Sequence, residues 1–290
     1  MNTPARSPMA LRRVDTRRPG RMPPSRPRWQ AWVVAVACLA AGAAHAGRSC
    51  QNEPPSAVNV ERAMNLAAAT ARALDASGAQ VVVVARAGQD LGRYGLRYSH
   101  LGLAYREAPP REGVPGTWRV AHKLNQCGTD HGALYRQGLG EFFLDDLFEY
   151  QAGVVVLAPP LQAKLLPVLR DNERLARLHT AAYSMVAYPW ATRYQQSNQW
   201  AIETLASAQE PAAQSRERAQ AWLKLQGYEP TTLRLGALTR LGARATAANI
   251  AFDDHPNEKR YADRIETVTV DSVFRWLERS QLGAAPITVR

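Results

Sequence analysis

A short apolar segment in the first half of the chain begins with a histidine: Arg97-Tyr98-Ser99-His100-Leu101-Gly102-Leu103-Ala104-Tyr105. The apolar residues that follow His100 predict a β-strand. A second segment, Tyr194-Gln195-Gln196-Ser197-Asn198-Gln199-Trp200, precedes apolar residues at helical spacing and predicts that a helix starts at Ser197 or Asn198. We expect this helix start to face His100, so the two segments form the candidate functional site.

The segments around these two predict a mixed α+β chain. Apolar residues at helical spacing predict helices, and β-branched or alternating residues predict strands. The predicted helices are 58–74, 161–169 (interrupted at Pro167), 175–183, a helix from 197 or 198 to 208, 215–226 and 271–279; the predicted strands are 80–85, 100–105, 117–124, 153–157 and 264–270. A turn and a short amphipathic segment are expected at 134–143, where Gly138 and Gly140 lie.

The strand at 117–124 carries a second histidine. Trp118, Val120, His122 and Leu124 alternate along it and therefore share one face. Because tryptophan, valine and leucine are typical of a buried face, His122 is expected to point inward with them.

The first 46 residues predict a signal peptide. An arginine-rich region ends at Arg28, an apolar stretch covers 32–40, and Ala44-His45-Ala46 places small residues at the two positions that signal peptidase reads. Cleavage after Ala46 predicts a periplasmic or secreted protein. The apolar stretch is too short for a stable membrane span, so no span is expected once the leader is removed.

The leader also carries most of the net charge of +11. It holds eight arginines and one acidic residue, which leaves a net charge of +4 on residues 47–290. We therefore do not infer a nucleic-acid partner. The sequence shows no nucleotide-binding glycine pattern and no zinc-binding Cys/His spacing, and we expect no cofactor and no metal.

Two cysteines remain after the leader, Cys50 and Cys127. An even cysteine count in an exported chain favours one disulfide, so we predict that Cys50 and Cys127 pair. The alternative is that Cys127, in a polar and turn-like segment, is a free reactive thiol.

The order of these elements resembles that of the permuted papain-like amidases and peptidases related to NlpC, in which the histidine strand precedes the nucleophile helix. This resemblance covers about residues 80–208. Over the whole mature chain the sequence resembles more closely an uncharacterised exported proteobacterial family, domain of unknown function family 2145, through the segments 124–129, 194–200 and 252–256. The resemblances imply a permuted papain-like core at 47–211 and an appended α/β region at 212–290, whose packing on the core is left open.

The amidase resemblance implies nucleophilic acyl transfer. His100 would act as the base and His122 would orient it. The nucleophilic cysteine would lie at Ser197, Asn198 or Gln199, and none of these is a thiol. Ser197 is a nucleophile candidate, although a serine at a helix start is first of all a capping residue.

Other residues near the expected cleft are candidates for binding. Asn198 and Gln199 are polar residues of the helix start, and Trp190, Tyr194 and Trp200 offer an aromatic wall for sugars or peptides. Core packing is the alternative for the aromatic residues. Asp253-Asp254-His255 is expected to form a turn rather than a metal site, because three adjacent loop residues rarely converge on one ion.

Three functions are consistent with this pattern. The first is an exported protein with a papain-like cleft that lacks the cysteine and binds a peptide, acyl or cell-wall fragment without cleaving it. The second is an active amidase or peptidase that uses Ser197 or Cys127 with His100 as base. The third is a structural or accessory envelope protein.

Overall fold

The computed structural model describes residues 54–109, 111, 113–114 and 116–290. In chain order the elements are α1 (Ala57–Ala76), β1 (Val81–Ala87), β2 (His100–Arg106), β3 (Trp118–Asn125), β4 (Gly132–Gly138), α2 (Leu139–Phe143), β5 (Glu149–Val156), α3 (Pro159–Arg170), α4 (Asn172–Ala176), α5 (Ser197–Gln209), α6 (Arg216–Leu225), β6 (Thr231–Arg234), α7 (Ala237–Thr246), α8 (Asn257–Tyr261), β7 (Arg264–Thr267), α9 (Val270–Arg279) and β8 (Ile287–Val289). One turn of 3-10 helix lies at Gly92–Tyr94. The predicted α+β class is confirmed.

Six of the strands form one sheet in the order β4-β3-β2-β1-β5-β8. Every neighbouring pair in it is antiparallel. β6 and β7 form a separate antiparallel pair. The β-branched run of β1 therefore lies inside the large sheet, where all seven of its residues are buried.

Helices cover both faces of the large sheet. One face, which we call the α1 face, packs on α1 and α2 through strand residues such as Val82, Val84, Ala104 and Val120. The opposite face, the α5 face, packs on α3, α5, α6 and α9 through Val83, Leu101, Leu103 and Ala121. Because successive strand residues point to opposite faces, strand position decides which helices a side chain meets.

Most predicted elements are present with shifted ends. The helix predicted at 58–74 is α1, and the strands predicted at 80–85 and 117–124 are β1 and β3. His100 begins β2 as expected. α3 continues through Pro167, so the predicted interruption there is wrong.

Two further segments differ from the sequence-based prediction. Residues 132–138 form strand β4 at the edge of the sheet, where a turn and a short amphipathic segment were expected at 134–143. Its half-buried positions and a glycine at each end hide the strand pattern. The helix predicted at 175–183 is wrong, because α4 ends at Ala176 and the chain has no regular helix or strand from there to Ser197.

Residues 212–290 pack on the large sheet. β8 pairs with β5 and extends the sheet. Val273, Phe274 and Leu277 of α9 belong to the hydrophobic core of the α5 face. The described residues all fall within one compact unit.

The predicted leader and Cys50 lie outside the described residues. Within the described part of the chain, no helix has the length and apolar character needed to cross a bilayer.

Candidate functional site

The two histidines predicted to form the site contact each other directly. The Nε2 of His100 lies 2.9 Å from the Nδ1 of His122. Both rings pack against Phe142 of α2, with ring centroids 5.8 Å and 5.3 Å away. Strand residues two positions apart point to the same face, so His100 shares the face of Gly102 and His122 that of Val120. Both histidines therefore lie on the α1 face.

A chain of hydrogen bonds runs from this pair to the surface. The Nε2 of His122 lies 2.7 Å from the Oε1 of Gln137. The Nε2 of Gln137 donates to the Oε1 of Glu141 over 2.9 Å. We call these four residues, His100, His122, Gln137 and Glu141, the histidine relay.

The relay fixes the position of each proton. A carboxylate only accepts, so Gln137 turns its amide nitrogen to Glu141 and its oxygen to His122. The Nε2 of His122 must then donate, which leaves its Nδ1 as an acceptor for the Nε2–H of His100. Neutral His100 consequently keeps one unprotonated nitrogen, Nδ1, which bonds no residue that the structure describes.

Burial and a neighbouring cation keep both rings neutral. Burial, and then the charges of Arg86 and His122, hold the pKa of His100 well below its usual value. Burial and Arg86 lower the pKa of His122 to about 3, although the hydrogen bond that His122 donates to Gln137 raises it. Arg86 is the cross-strand partner of His100 and forms an ion pair with Asp145 over 2.8 Å.

The predicted helix start does not share the face of the histidines. α5 packs on the α5 face through Trp200, Ala201 and Leu205, on the opposite side of the sheet from Phe142 and the relay. The contact between α5 and β2 instead involves the main chain of β2, because the Oδ1 of Asn198 accepts from the backbone N–H of Leu101 over 3.1 Å. The expectation that Ser197 faces His100 is therefore wrong, because the side chains project from opposite faces.

The polar residues of the α5 start are bound to the protein itself. The Nδ2 of Asn198 donates to Val268 O at 3.3 Å. The Nε2 of Gln199 donates to the carbonyls of Tyr188 and Pro189, each over 3.3 Å. The Oε1 of Gln199 is buried and has no partner among the described residues. These bonds position the 188–189 segment on the helix.

Helix α5 is capped by Gln196, whereas Ser197 was expected to be the capping residue. The Oε1 of Gln196 accepts from the backbone N–H of Asn198 over 3.0 Å. Its Nε2 donates to the Oγ1 of Thr267 over 3.1 Å. One side chain thus both caps α5 and ties it to β7.

We expect Gln196→Ala to lower the free energy of unfolding by about 1–2 kcal/mol, because a helix cap and a buried hydrogen bond are lost together. Ser197→Ala should cost less, since Ser197 contributes no cap. Urea unfolding of the two variants side by side tests this ranking, and a larger loss for Ser197→Ala would contradict the assigned cap.

Ser197 is part of a buried structural cluster. Its Oγ lies 3.3 Å from the hydroxyl of Tyr183, whose ring lies 5.6 Å from the Nζ of Lys123. Burial lowers the pKa of Lys123 to about 7. Its Nζ nevertheless donates to three oxygens, Thr180 O, Gln195 O and Gln195 Oε1, over 2.6, 2.7 and 3.0 Å. Three acceptors are satisfied only by the ammonium form, which has no lone pair to take a proton from Ser197.

The profile of one protein family matches residues 73–277, and this family is described as an uncharacterised protein conserved in bacteria, domain of unknown function family 2145. The chain belongs to this family. The family part of the predicted resemblance is thereby confirmed. Searches of curated proteins and of solved structures gave no match, so the papain-like part is not confirmed.

Cys127 lies in the turn between β3 and β4. Its predicted partner, Cys50, lies outside the described residues, so the pairing Cys50–Cys127 stays a prediction. A bonded sulfur is not available as the nucleophile of a thiol mechanism.

The predicted aromatic wall is dispersed. Trp200 is fully buried in the core of the α5 face. Trp190 packs edge-on against Tyr228 with ring centroids 6.0 Å apart, under the Nζ of Lys224 at 4.7 Å. Tyr194 is half-buried, with the guanidinium of Arg193 5.2 Å above its ring. Trp200 is therefore packed as a core residue, which is the alternative expected for the aromatic residues.

The Asp253-Asp254-His255 segment is committed to structural contacts. Asp254 bonds the Nδ1 of His255 over 2.9 Å and accepts from the N–H of Tyr188 over 2.7 Å. Asp253 forms an ion pair with Arg193. Within the described chain no group of three or more His, Cys, Asp or Glu residues is arranged to hold a metal ion.

Sequence reasoning missed two residues of the relay and two of its neighbours. Gln137 lies in β4, which had been read as a turn, and Glu141 and Phe142 lie in the short helix that follows it. Arg86 follows the valine run of β1. A charged residue in a buried strand usually has a specific partner, so this position is the signal that indicates a polar contact here.

Proposed function

We propose that this protein is exported after removal of residues 1–46 and binds a peptide, acyl or cell-wall fragment without cleaving it. In this proposal the fragment donates an N–H or O–H hydrogen bond to the Nδ1 of His100. The protein would then act in the periplasm or outside the cell as a binding protein with a papain-like arrangement of strands and helix.

The single observation that carries the proposal is the histidine relay. Its hydrogen bonds leave one acceptor, the Nδ1 of His100, with a defined tautomer and no described partner. Peptide amides and sugar hydroxyls are donors that a neutral imidazole accepts. His100 is largely buried, with 9 % of its surface exposed, so only a small part of the residue is within reach of a ligand.

The absence of a nucleophile beside the base supports binding rather than cleavage. Acyl transfer of the papain type needs a thiol or hydroxyl within hydrogen-bond reach of the base. Among the described residues, no hydroxyl side chain is hydrogen-bonded to His100, and Ser197 belongs to the opposite face. An isolated base can still orient a ligand.

A second candidate is an amidase or peptidase in which His100 acts as base. The relay favours it, because a chain that fixes the tautomer of a histidine is also what a general base requires. Ser197 belongs to the opposite face of the sheet, so the nucleophile in this candidate would have to be a water molecule activated by His100.

A binding experiment separates these candidates. The purified protein is incubated with a digest of bacterial cell wall and with short peptides, and both retention and new products are followed by mass spectrometry. We expect retention of intact fragments, weakened by His100→Gln and unchanged by His131→Gln, a histidine whose side chain is 60 % exposed. Products that vanish in His100→Gln would establish the second candidate instead. If the protein neither retains fragments nor forms products, the result would favour a structural or accessory envelope function.

Export is tested separately by the intact mass of protein made with its leader. We expect the chain to begin at Gly47 and to gain the mass of two hydrogen atoms when a reductant is added, as one disulfide requires. Retention of the leader would contradict the proposed localisation, and two alkylatable thiols before reduction would contradict the pairing.

A further inference from the structure

A groove of about 400 Å³ lies between the 3-10 turn at Gly92–Tyr94 and strand β6, away from the histidine relay. Its lining includes Arg93 and Tyr94 on one side and Thr232, Leu233 and Arg234 on the other. We call it the arginine groove. It combines two guanidinium groups with threonine hydroxyls over a partly apolar floor.

The guanidinium groups of this groove have no acidic partner in the described chain. Arg93 lies over the ring of Tyr94 at 4.6 Å and forms no ion pair there. Arg234 is exposed and forms neither an ion pair nor a side-chain hydrogen bond with a described residue. The charges of the groove are thus available to a ligand.

The neighbouring carboxylates are already engaged. Asp90 accepts from the N–H of Gly92 over 2.9 Å. Asp263 pairs with Arg240, and Glu266 pairs with Lys259 over 2.6 Å. The local field at the groove therefore remains positive.

A third arginine strengthens this field. Arg264 of β7 is the direct cross-strand partner of Arg234. The N–H of Leu235 donates to Asp263 O, so Leu235 and Asp263 form a hydrogen-bonded pair. Hydrogen-bonded and non-hydrogen-bonded pairs alternate along antiparallel strands, so the next pair, Arg234 and Arg264, is non-hydrogen-bonded. Side chains lie closest in pairs of this kind. Like charges at such positions destabilise a sheet unless a counter-charge is present.

The open edge of β6 adds main-chain donors. Because the N–H groups of Leu233 and Leu235 point toward β7, those of Thr232 and Arg234 point to the unpaired edge that lines the groove. Guanidinium groups and backbone N–H groups together are the donors that bind carboxylate and phosphate oxygens.

We propose that the arginine groove binds a ligand with an oxyanion group, a carboxylate or a phosphate, held by Arg93, Arg234 and the edge N–H groups of β6. The ligand's adjoining part lies against Tyr94 and Leu233. This site does not depend on the proposed function of the histidine relay.

Two anions of different chemistry test the proposal: inorganic phosphate and succinate, titrated separately at low salt into the isotope-labelled protein. We expect at least one of them to give saturable shifts of the backbone amide signals of Thr232 and Arg234, weakened by added salt. The anion that binds more tightly identifies the group. No saturable shift with either anion would overturn the proposal.

Two matched variants test whether anion binding depends on the arginine groove or on the positive charge of the protein in general. We expect Arg234→Gln to weaken binding about tenfold or more, because a charged hydrogen-bond donor is lost. Arg275→Gln, which removes an exposed arginine of α9 outside the groove, should leave the affinity unchanged. Equal weakening by both variants would overturn the proposal.

A charge reversal provides a readout that does not rely on loss alone. We expect Arg264→Glu to abolish binding and to raise the melting temperature, since it converts a like-charge cross-strand pair into an opposite-charge pair. Unchanged anion affinity in this variant would also overturn the proposal.

Discussion

Arg216→Met is expected to lower the free energy of unfolding by about 3–5 kcal/mol, the usual cost of removing one partner from a buried ion pair. Glu203 is fully buried on α5 and its Oε2 accepts from the Nε of Arg216 over 2.8 Å. Gln195 and Gln220 also donate to this carboxylate, over 2.6 and 2.7 Å. Without Arg216, a buried carboxylate would lose its only ion-pair partner among the described residues.

The same guanidinium holds the irregular segment that precedes α5. It donates to the carbonyls of Thr192 and Tyr194 over 2.8 and 3.0 Å. Loss of Arg216 should therefore destabilise the segment that precedes the helix start, in addition to removing the ion pair. Urea unfolding measures the loss, and Arg218→Met, an exposed arginine on the same helix, is the control with an expected change near zero. A loss below about 1 kcal/mol for Arg216→Met would mean that water or another residue satisfies Glu203.

Acid is expected to destabilise the protein through its two buried histidines. An unfolded histidine has a pKa of about 6.5. In the folded protein His122 has a pKa lowered to about 3, and that of His100 is also lowered well below the usual value. As the pH falls below about 6.5, the unfolded chain therefore takes up protons that the folded chain does not, and stability is lost.

The size of this loss follows from the number of protons. Each histidine that stays neutral in the fold costs about 1.4 kcal/mol of stability per pH unit below 6.5. Between pH 6.5 and pH 4.5 we expect His122 alone to account for about 2.5 kcal/mol, with His100 adding in the same direction.

Unfolding free energies at several pH values test this prediction. His122→Gln should reduce the slope of stability against pH by about one proton, although it lowers stability at pH 7. A His122→Gln slope equal to that of the unmodified protein would contradict the assignment of a neutral, buried His122.

The strands that carry the histidines were predictable because their patterns are simple. The valine run of β1 and the alternation of Trp118, Val120 and His122 each indicate a buried strand from neighbouring residues alone. The inward direction of His122 followed from that alternation and is confirmed by its burial.

The partner of the histidine strand could not be derived in the same way. Which face of a sheet a helix covers is decided by chain connections and core packing, neither of which local periodicity contains. Here the core residues of α5, Trp200 and Leu205, pack with Leu101 and Leu103, whereas His100 points to the other side with Phe142. A one-residue difference along β2 thus separates the two predicted halves of the site.

The polar contacts of the relay and of the buried Glu203–Arg216 ion pair could not be predicted for a related reason. Gln137, Glu141, Glu203 and Arg216 are ordinary surface residue types, and only long-range contacts make them structural. Gln137 reaches His122 across adjacent strands, and Arg216 reaches Glu203 between two helices. Sequence patterns can place such residues on a face, but they do not name the partner.

The histidine relay is tested most directly by the imidazole nitrogen resonances of His100 and His122, measured by nuclear magnetic resonance in ¹⁵N-labelled protein at pH 7. The relay predicts that both rings are neutral, that each carries its proton on Nε2, and that the free Nδ1 of His100 shifts when a ligand donates to it. A proton on the Nδ1 of His100, or a charged imidazolium at either position, would contradict the relay and the binding function proposed from it.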